Sequence, residues 1–243
     1  MSEVHLLEVE NLSKSFGGLT ATSDVNLHID KGEIVGLIGP NGAGKTTIFN
    51  LVSGFLPADR GIIKFKGQVI NGLKPNQICK LGIARTFQTL RPLLELTVFK
   101  NTMVGAYNRL GQKEAKKWTA EVLNLTGLWP KREILPKHLT VADRKVLELA
   151  RAMASQPAVL LLDETVAGLT PTETMVMIKL IKKIQESGIT ICMIEHVMRT
   201  IMSLSDRIYV IHHGEKISEG TPAEVSKDPG VIRAYLGDEY ALT

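Results

Sequence analysis

The segment with the clearest chemistry is a glycine-rich loop that ends in a lysine and a threonine. Residues 39–46 read Gly-Pro-Asn-Gly-Ala-Gly-Lys-Thr and satisfy the pattern G-x-x-x-x-G-K-[ST]. The apolar run 33–38 predicts a strand before the loop, and 46–53 predicts a helix after it. Glycines let several backbone N–H groups converge on a phosphate, and the helix N-terminus adds its positive end. The pattern and its context together predict a site for nucleotide phosphates.

Every residue of this loop is a candidate for contact with a nucleotide. Lys45 is expected to neutralise the β- and γ-phosphates, and Thr46 to offer its hydroxyl to Mg²⁺. The predicted nucleotide-binding residues of the loop are Gly39, Pro40, Asn41, Gly42, Ala43, Gly44, Lys45, Thr46 and Thr47. Kinases, G proteins, helicases and transport ATPases all use such a loop, so the loop alone does not choose among them.

Two adjacent carboxylates follow an apolar run later in the chain. Residues 158–162 predict a buried strand, and Asp163 and Glu164 come directly after it. The carboxyl end of a parallel strand is where α/β proteins bind their ligands. Asp163 is therefore predicted to hold Mg²⁺ through its water shell, and Glu164 to orient or deprotonate an attacking water.

Apolar runs and helical spacing alternate along much of the chain. Strands are predicted at 6–9, 25–29, 33–38, 61–65, 158–162, 189–194 and 207–211, and crossover helices at 172–187 and 196–203. From 89 to 156 helix formers dominate, with helices predicted at 113–124 and 142–154. Short helices are predicted at 222–225 and 229–236. The pattern indicates an α/β core that carries an inserted helical subdomain.

Composition narrows the class of protein. The 243 residues are 44% hydrophobic and 22% charged, which is typical of a globular protein with a full core. The charge-free run 46–58 is too short to cross a bilayer, and the first residues show no secretory signal. Cys79 and Cys192 lack metal-ligand spacing and are expected to be reduced. The net charge of +4 arises from interspersed residues and does not favour nucleic-acid binding.

Further landmarks, in order along the whole chain, give a resemblance to the nucleotide-binding subunits of ABC transporters. In that family an early aromatic residue stacks on adenine, and Phe16 matches it. Gln88 matches the family's Q-loop glutamine, which contacts Mg²⁺ or the water and couples to the permease. His196 matches the switch histidine, which can donate a hydrogen bond to transition-state charge.

The family's signature segment is altered in this chain. Residues 139–145 read Leu-Thr-Val-Ala-Asp-Arg-Lys, where Leu-Ser-Gly-Gly-Gln followed by basic residues is usual. Thr140 keeps a hydroxyl able to meet a γ-phosphate held by the opposing subunit. Both glycines are lost, and Asp143 would repel ATP if it faced the nucleotide. Arg144 or Lys145 could offset that charge, and capping of the next helix is another role for Thr140 or Asp143.

Two other segments indicate a substrate class by resemblance alone. Residues 167–171 read Ala-Gly-Leu-Thr-Pro with Glu173 beyond them, and the tail 231–237 reads Val-Ile-Arg-Ala-Tyr-Leu-Gly. Both resemble importers of branched-chain amino acids and related polar solutes.

The resemblance implies one nucleotide-binding domain over residues 1–243, with its core at 1–88 and 157–243 and a helical subdomain at 89–156. Its fold is a P-loop ABC ATPase core with an N-terminal antiparallel β layer. Two copies, or one copy and a related ATPase subunit, would sandwich ATP and Mg²⁺. The implied partners are membrane permease subunits and, indirectly, an extracytoplasmic solute-binding protein, with no nucleic acid. The chain would then work peripherally at the cytoplasmic face of the membrane.

Three alternatives compete with an importer ATPase. A G protein or small-molecule kinase lacks support, because no Asp-x-x-Gly or Asn-Lys-x-Asp element occurs and Phe16, Gln88 and His196 would stay unexplained. Soluble ABC proteins of translation or DNA repair usually carry two such domains or a long coiled-coil insertion, and this chain has neither. A non-hydrolysing partner or scaffold subunit is compatible with the altered signature, although Glu164 and His196 argue for competence.

Overall fold

The structure of the protein is a computed structural model that describes residues 5–88 and 91–236. Thr89, where the predicted helical subdomain begins, and Gly237, which ends the tail motif, lie outside the described residues. The chain divides into two compact units. The first unit comprises Met1–Pro75 and Thr190–Thr243, and the second comprises Asn76–Ile189.

The described residues form both strands and helices. The strands are β1 (Leu7–Phe16), β2 (Leu19–Ile29), β3 (Ile34–Ile38), β4 (Arg60–Phe65), β5 (Gln68–Val69), β6 (Ile83–Arg85), β7 (Val159–Asp163), β8 (Thr190–Ile194), β9 (Arg207–His212) and β10 (Glu215–Gly220). The helices are α1 (Lys45–Val52), α2 (Pro75–Leu81), α3 (Val98–Ala106), α4 (Gln112–Leu125), α5 (Val141–Ala154), α6 (Pro171–Glu186), α7 (Met198–Leu204), α8 (Pro222–Val225) and α9 (Pro229–Leu236). Single 3₁₀ turns lie at Trp129–Lys131 and Pro136–His138.

The first unit opens with an antiparallel layer in the strand order β2-β1-β4-β5. Burial near the start of β1 alternates, with Leu7 and Val9 buried and Glu8 partly exposed. Leu7 lies opposite Ile29 of β2 and Phe65 of β4. This period of two places one face of the layer against the core, as expected for an antiparallel sheet that is solvated on its other face.

The same unit contains a mixed sheet in the strand order β10-β9-β3-β8. β3 pairs in parallel with both β8 and β9, and every residue of β3 and β8 is buried. Gly36 explains how α7 approaches β3, since a Cβ there would lie 2.8 Å from Ser205 Oγ and 2.9 Å from Ile201 Cγ1. The absence of a side chain at Gly36 therefore allows close packing of a helix on the strand that leads to the phosphate loop.

The second unit combines the parallel pair β6-β7 with helices α3 to α6. Ala106, Ala115 and Ala154 form a small buried cluster against which Trp118 packs. A Cβ on Gly105 of α3 would lie 2.2 Å from the carbonyl oxygen of Arg151 in α5. Small residues thus let α3 and α5 pack closely, and the first turn of α5 contains part of the altered signature.

The observed architecture has the predicted α/β class and the predicted N-terminal antiparallel layer. All of the predicted strands are present, but β1 extends well beyond the predicted run 6–9. The sequence did not predict the strands β5, β6 and β10 or the helices α2 and α3. The division into units follows other boundaries than the proposed core and helical subdomain, so the subdomain at 89–156 stays a prediction. Within the described ranges, no helix combines the length and hydropathy needed to span a bilayer.

Candidate nucleotide site

The glycine-rich loop links β3 to α1 in the first unit. Gly39, Gly42 and Gly44 have φ values of 151°, 78° and 104°, which L side chains rarely adopt. A Cβ on Gly39 would lie 1.9 Å from the carbonyl oxygen of Ile211, and one on Gly44 would lie 2.2 Å from that of Ala21. Two of the three glycines are therefore required by close backbone approach as well as by their dihedral angles.

Lys45 turns its ammonium group back into the loop. Its Nζ donates hydrogen bonds to the carbonyl oxygens of Gly39 at 2.7 Å and Pro40 at 2.8 Å. The residue is only 5% exposed. A cation that is buried against the backbone of a glycine-rich loop creates a positive potential where an anion can bind.

The N-terminus of α1 adds to this potential. Gly44 is its N-cap, no side chain of the described residues caps it, and its first turn carries no acidic residue. The amide groups of this turn are oriented for an acceptor such as a phosphate oxygen. Thr46 is exposed and Thr47 is partly exposed in the same turn, so the structure places the predicted loop residues on one short strand–loop–helix unit.

Tyr235 of α9 approaches the beginning of the loop. Burial raises the pKa of its phenol, and a hydrogen bond with the backbone of Gly39 opposes that shift. Tyr235 belongs to the tail segment 231–237, and it contacts the phosphate loop at Gly39. The sequence of the tail did not predict this contact.

Phe16 and His196 also belong to the first unit. Phe16 ends β1 and is 46% exposed, with Lys14 Nζ 5.7 Å from the ring centroid. His196 is exposed just after β8. Because Leu37 of β3 lies opposite Ile194 of β8, the phosphate loop and His196 both emerge at the carboxyl edge of the sheet. The exposed ring is available for stacking, and the histidine emerges at the edge where the loop begins.

Asp163 is the last residue of β7 in the second unit. Its Oδ2 accepts a hydrogen bond from Arg85 Nη2 at 2.8 Å, and the two side chains are 4% and 6% exposed. Its backbone N–H donates to Thr86 Oγ1 at 3.2 Å. A buried carboxylate needs such a partner, because breaking a desolvated ion pair leaves an uncompensated charge. Nothing in the sequence indicated that Arg85 holds this carboxylate.

Glu164 follows in a strained conformation. Its φ is 50°, which is uncommon for a residue with a side chain and often marks a functional position. Gln88 Nε2 donates to Glu164 Oε2 at 2.7 Å, and Lys145 Nζ donates to the Glu164 carbonyl oxygen at 2.9 Å. The structure thus brings together two residues that the sequence singled out separately, Gln88 and Glu164. Lys145 fixes the backbone of the second one.

The altered signature begins α5, also in the second unit. Thr140 is the N-cap, and its Oγ1 accepts from the Asp143 N–H at 3.1 Å and donates to Asp143 Oδ2 at 2.9 Å. Lys131 Nζ lies 2.7 and 2.6 Å from the two carboxylate oxygens of Asp143. Arg144 contacts backbone carbonyls, at 3.0 Å for Pro136. Lys131, which the sequence did not single out, therefore contacts Asp143 directly.

Comparisons with known proteins identify the family of the chain. The family described as "ABC transporter" matches residues 22–167, and the family described as "Branched-chain amino acid ATP-binding cassette transporter" matches residues 215–241. A glycine-rich loop between a buried strand and a helix, ending in Lys45 and Thr46, is typical of P-loop nucleotide-binding proteins, and the chain belongs to the ABC transporter family. Both the family and the fold class predicted from the sequence are confirmed.

The chain is also similar to individual proteins of this family. The chain is 41% identical to the high-affinity branched-chain amino acid transport ATP-binding protein LivG of Escherichia coli K12, over 96% of this chain and 98% of that protein. It is 38% identical to BraF of Pseudomonas aeruginosa, which carries the same description, with the same coverage. Among solved structures it is similar to a nucleotide-free ATP-binding cassette of an ABC transporter, with a TM-score of 0.87 and 29% identity over 96% of this chain and 100% of that one.

Proposed function

We propose that the chain is the ATP-binding and ATP-hydrolysing subunit of an ABC importer that takes up a polar solute, most specifically branched-chain amino acids. The observation that carries this proposal is the phosphate loop with its buried Lys45. The near full-length similarity to LivG and BraF supports the transport role and the substrate class.

ATP would bind to the first unit through its phosphates and its base. The loop amides and Lys45 bind the phosphate oxygens, and the α1 N-terminus contributes its positive end. Phe16 stacks on adenine with its exposed ring. Stacking tolerates small shifts of the base, whereas the loop fixes the phosphates.

The oxygen donors of the chain fit Mg²⁺, which prefers hydroxyl, carboxylate and amide oxygens. Thr46 offers an exposed hydroxyl. Asp163 offers a carboxylate that is hydrogen-bonded to Arg85. Gln88 offers the oxygen of its side-chain amide, whose nitrogen donates to Glu164. When bound, the ion would neutralise phosphate charge and orient the triphosphate.

Hydrolysis would use Glu164 and His196. The oxygen of a water attacks the γ-phosphorus, its proton passes to the Glu164 carboxylate, and the bond to ADP breaks with ADP taking the electron pair. The 2.7 Å contact with Gln88 holds the carboxylate before the step. His196 donates a hydrogen bond to a γ-phosphate oxygen as charge develops there.

Two ATPase subunits would close on the nucleotides and drive membrane permease subunits. Each site then takes the phosphate loop from one subunit and the Thr140 segment, residues 139–145, from the other. Closure by ATP and reopening after hydrolysis form a two-state motion that a permease can follow. The chain would be held at the cytoplasmic face of the membrane by those permease subunits.

Glu164→Gln tests the hydrolytic role. We expect ATP affinity to stay within about twofold of the wild type, while turnover falls about 10²- to 10⁴-fold because the general base is lost. Glu133→Gln, at a side chain that is 77% exposed, is the matched control and should keep wild-type turnover. Turnover of Glu164→Gln at the wild-type rate would remove Glu164 from this role.

The solute is tested by co-purifying the chain with its permease subunits and reconstituting them in proteoliposomes with their binding protein. ATP-dependent accumulation of leucine, isoleucine or valine is expected. Accumulation of another solute class without these three would reject the branched-chain assignment and leave the ATPase assignment intact. Neither the described residues nor the relatives support the alternative of a non-hydrolysing scaffold.

A further inference from the structure

Lys131 forms an ion pair with the altered signature from outside it. It ends the 3₁₀ turn Trp129–Lys131, ahead of α5 in the chain. Its Nζ contacts both carboxylate oxygens of Asp143, while the side chain stays 42% exposed and that of Asp143 is 18% exposed. Charge-assisted contacts of this length are stronger than neutral hydrogen bonds.

The Thr140 hydroxyl is engaged on both sides by the same residue. It has one proton, which it donates to Asp143 Oδ2, and it accepts the Asp143 N–H. A threonine hydroxyl cannot donate a second hydrogen bond. For Thr140 to donate to a phosphate oxygen, the hydroxyl must therefore first break its hydrogen bond to Asp143 Oδ2.

The Asp143 carboxylate also interacts with a second carboxylate, that of Glu173. The pKa of Glu173 is lowered, mainly by the backbone N–H and hydroxyl of Thr170, and the charge of Asp143 opposes that shift. The two carboxylates thus interact electrostatically. Without a cation, Asp143 would add a second negative charge where a triphosphate must approach.

We propose that Lys131 is a positioning residue for the Thr140 segment. It keeps hold of Asp143 when the Thr140 hydroxyl exchanges this carboxylate for a γ-phosphate oxygen of the facing subunit. Lys131 thereby compensates the acidic residue that replaces the signature glutamine. This inference rests on the proposed function, because it requires ATP-driven closure of two subunits.

Lys131→Met tests this role, since it removes the charge and keeps an unbranched stem. In a Glu164→Gln background, we expect the ATP concentration for half-maximal dimerisation to rise about five- to tenfold. In the hydrolysing chain KM for ATP should rise by a similar factor with kcat nearly unchanged. Lys131→Arg should restore both values. Lys137→Met, at an exposed lysine of the same connection, is the matched control and should behave as the wild type.

Asp143→Asn separates charge compensation from packing. The introduced amide keeps an acceptor for the Thr140 hydroxyl and loses the charge, so this variant is the reference against which a second change at Lys131 is measured. Adding Lys131→Met to Asp143→Asn should then cost little, because no carboxylate needs compensation. If Lys131→Met causes equal losses with and without Asp143→Asn, Lys131 acts only through packing and the proposal is overturned. Wild-type closure in Lys131→Met would overturn it as well.

Failure of ATP-driven closure and failure of the Lys131 role give different experimental results. If the chain with Glu164→Gln and an intact Lys131 does not dimerise with ATP, the closing step of the proposed function is wrong, and the role of Lys131 falls with it. If that chain dimerises and Lys131→Met dimerises equally well, only the role of Lys131 is wrong. Sedimentation at graded ATP concentrations, with thermal melts of every variant, distinguishes these outcomes.

Discussion

The phosphate loop and the Thr140 segment have the same proposed partner, the triphosphate of ATP, but they are built in different ways. In the loop, glycines bring the backbone within contact of Ile211 and Ala21, and Lys45 bonds main-chain carbonyls. The Thr140 segment is organised by side chains instead, through the contacts of Asp143 with Thr140 and with Lys131.

This difference explains why the phosphate loop keeps its usual motif while the Thr140 segment departs from the usual signature. A backbone site tolerates few residues, because a single Cβ closes it. A side-chain site can change one charge if another charge compensates it, which is what Lys131 supplies for Asp143. Substitutions in the loop should therefore be severe and hard to rescue, and those in the Thr140 segment mild and rescuable.

Gly44→Ala should have the largest effect. Its Cβ would lie 2.2 Å from the Ala21 carbonyl oxygen, so we expect more than about 3 kcal/mol loss of stability and loss of most ATP binding. Gly42→Ala is the matched control, because its φ is also positive but nothing lies within 4 Å of its Cβ, and it should cost only about 1 kcal/mol. Urea unfolding and calorimetry with ATP measure both. Equal losses would show that backbone strain, and not the close approach, decides.

Lys45→Ala should have the next largest effect. It removes a charge-assisted contact, so ATP affinity should fall about 10- to 100-fold while the fold persists. Lys31→Ala, at an exposed lysine in the turn before β3, should leave affinity unchanged. Calorimetry with ATP makes the comparison, and wild-type affinity in Lys45→Ala would show that another residue neutralises the phosphates.

Thr140→Ala should have a smaller effect on stability but a specific one on turnover. Loss of the cap should cost about 1 kcal/mol, as it should at Thr221, which caps α8. Only Thr140→Ala is expected to lower ATP turnover in the reconstituted transporter, because only Thr140 is proposed to face a nucleotide in the closed dimer. If both variants lose stability and keep turnover, Thr140 is a helix cap and the shared-site proposal fails at this residue.

The sequence predicted the strand and the helix on either side of residues 39–46 well, because the information there is local. An apolar run sets β3, glycines set the turn, and the spacing to Lys45 sets α1. β10 was not predicted, since its residues, Glu-Lys-Ile-Ser-Glu-Gly, are mostly exposed and it exists through pairing with β9. The polar second half of β1 was not predicted either, and it too is a strand because it pairs with a neighbour, β2.

Side-chain partners were the least predictable part of the site. Gln88 and Glu164 were singled out by their sequence contexts, and they form a direct contact. Arg85 and Lys131 carry no motif, and each reaches its carboxylate through the folded chain. An ion pair between distant residues leaves no periodicity or spacing to detect, so only the structure could identify these two cations.

The smallest expected effect concerns Glu224, which belongs to a capping box unlike the Thr140 cap. Its carboxylate accepts the Thr221 N–H at 2.7 Å and the Thr221 hydroxyl at 2.8 Å. These contacts, the backbone one foremost, lower the pKa of Glu224 below its ordinary value of 4.5. Because the folded pKa is lowered, the stabilisation is present above pH 4.5 and disappears as the pH falls through the folded value.

Glu224→Gln should therefore be less stable than the wild type at pH 7, and the difference should shrink below pH 4.5. Thermal unfolding from about pH 3 to 8 measures it, with Glu133→Gln as the control at an exposed carboxylate. ATP turnover should not change, because Glu224 caps α8 and has no proposed contact with the nucleotide. A difference that is independent of pH would mean that the carboxylate charge does not stabilise this cap. The Asp143 carboxylate differs because a cation, Lys131, contacts it, whereas Glu224 accepts the N-cap N–H. That result would mean that this difference in partners does not explain how the two caps are stabilised.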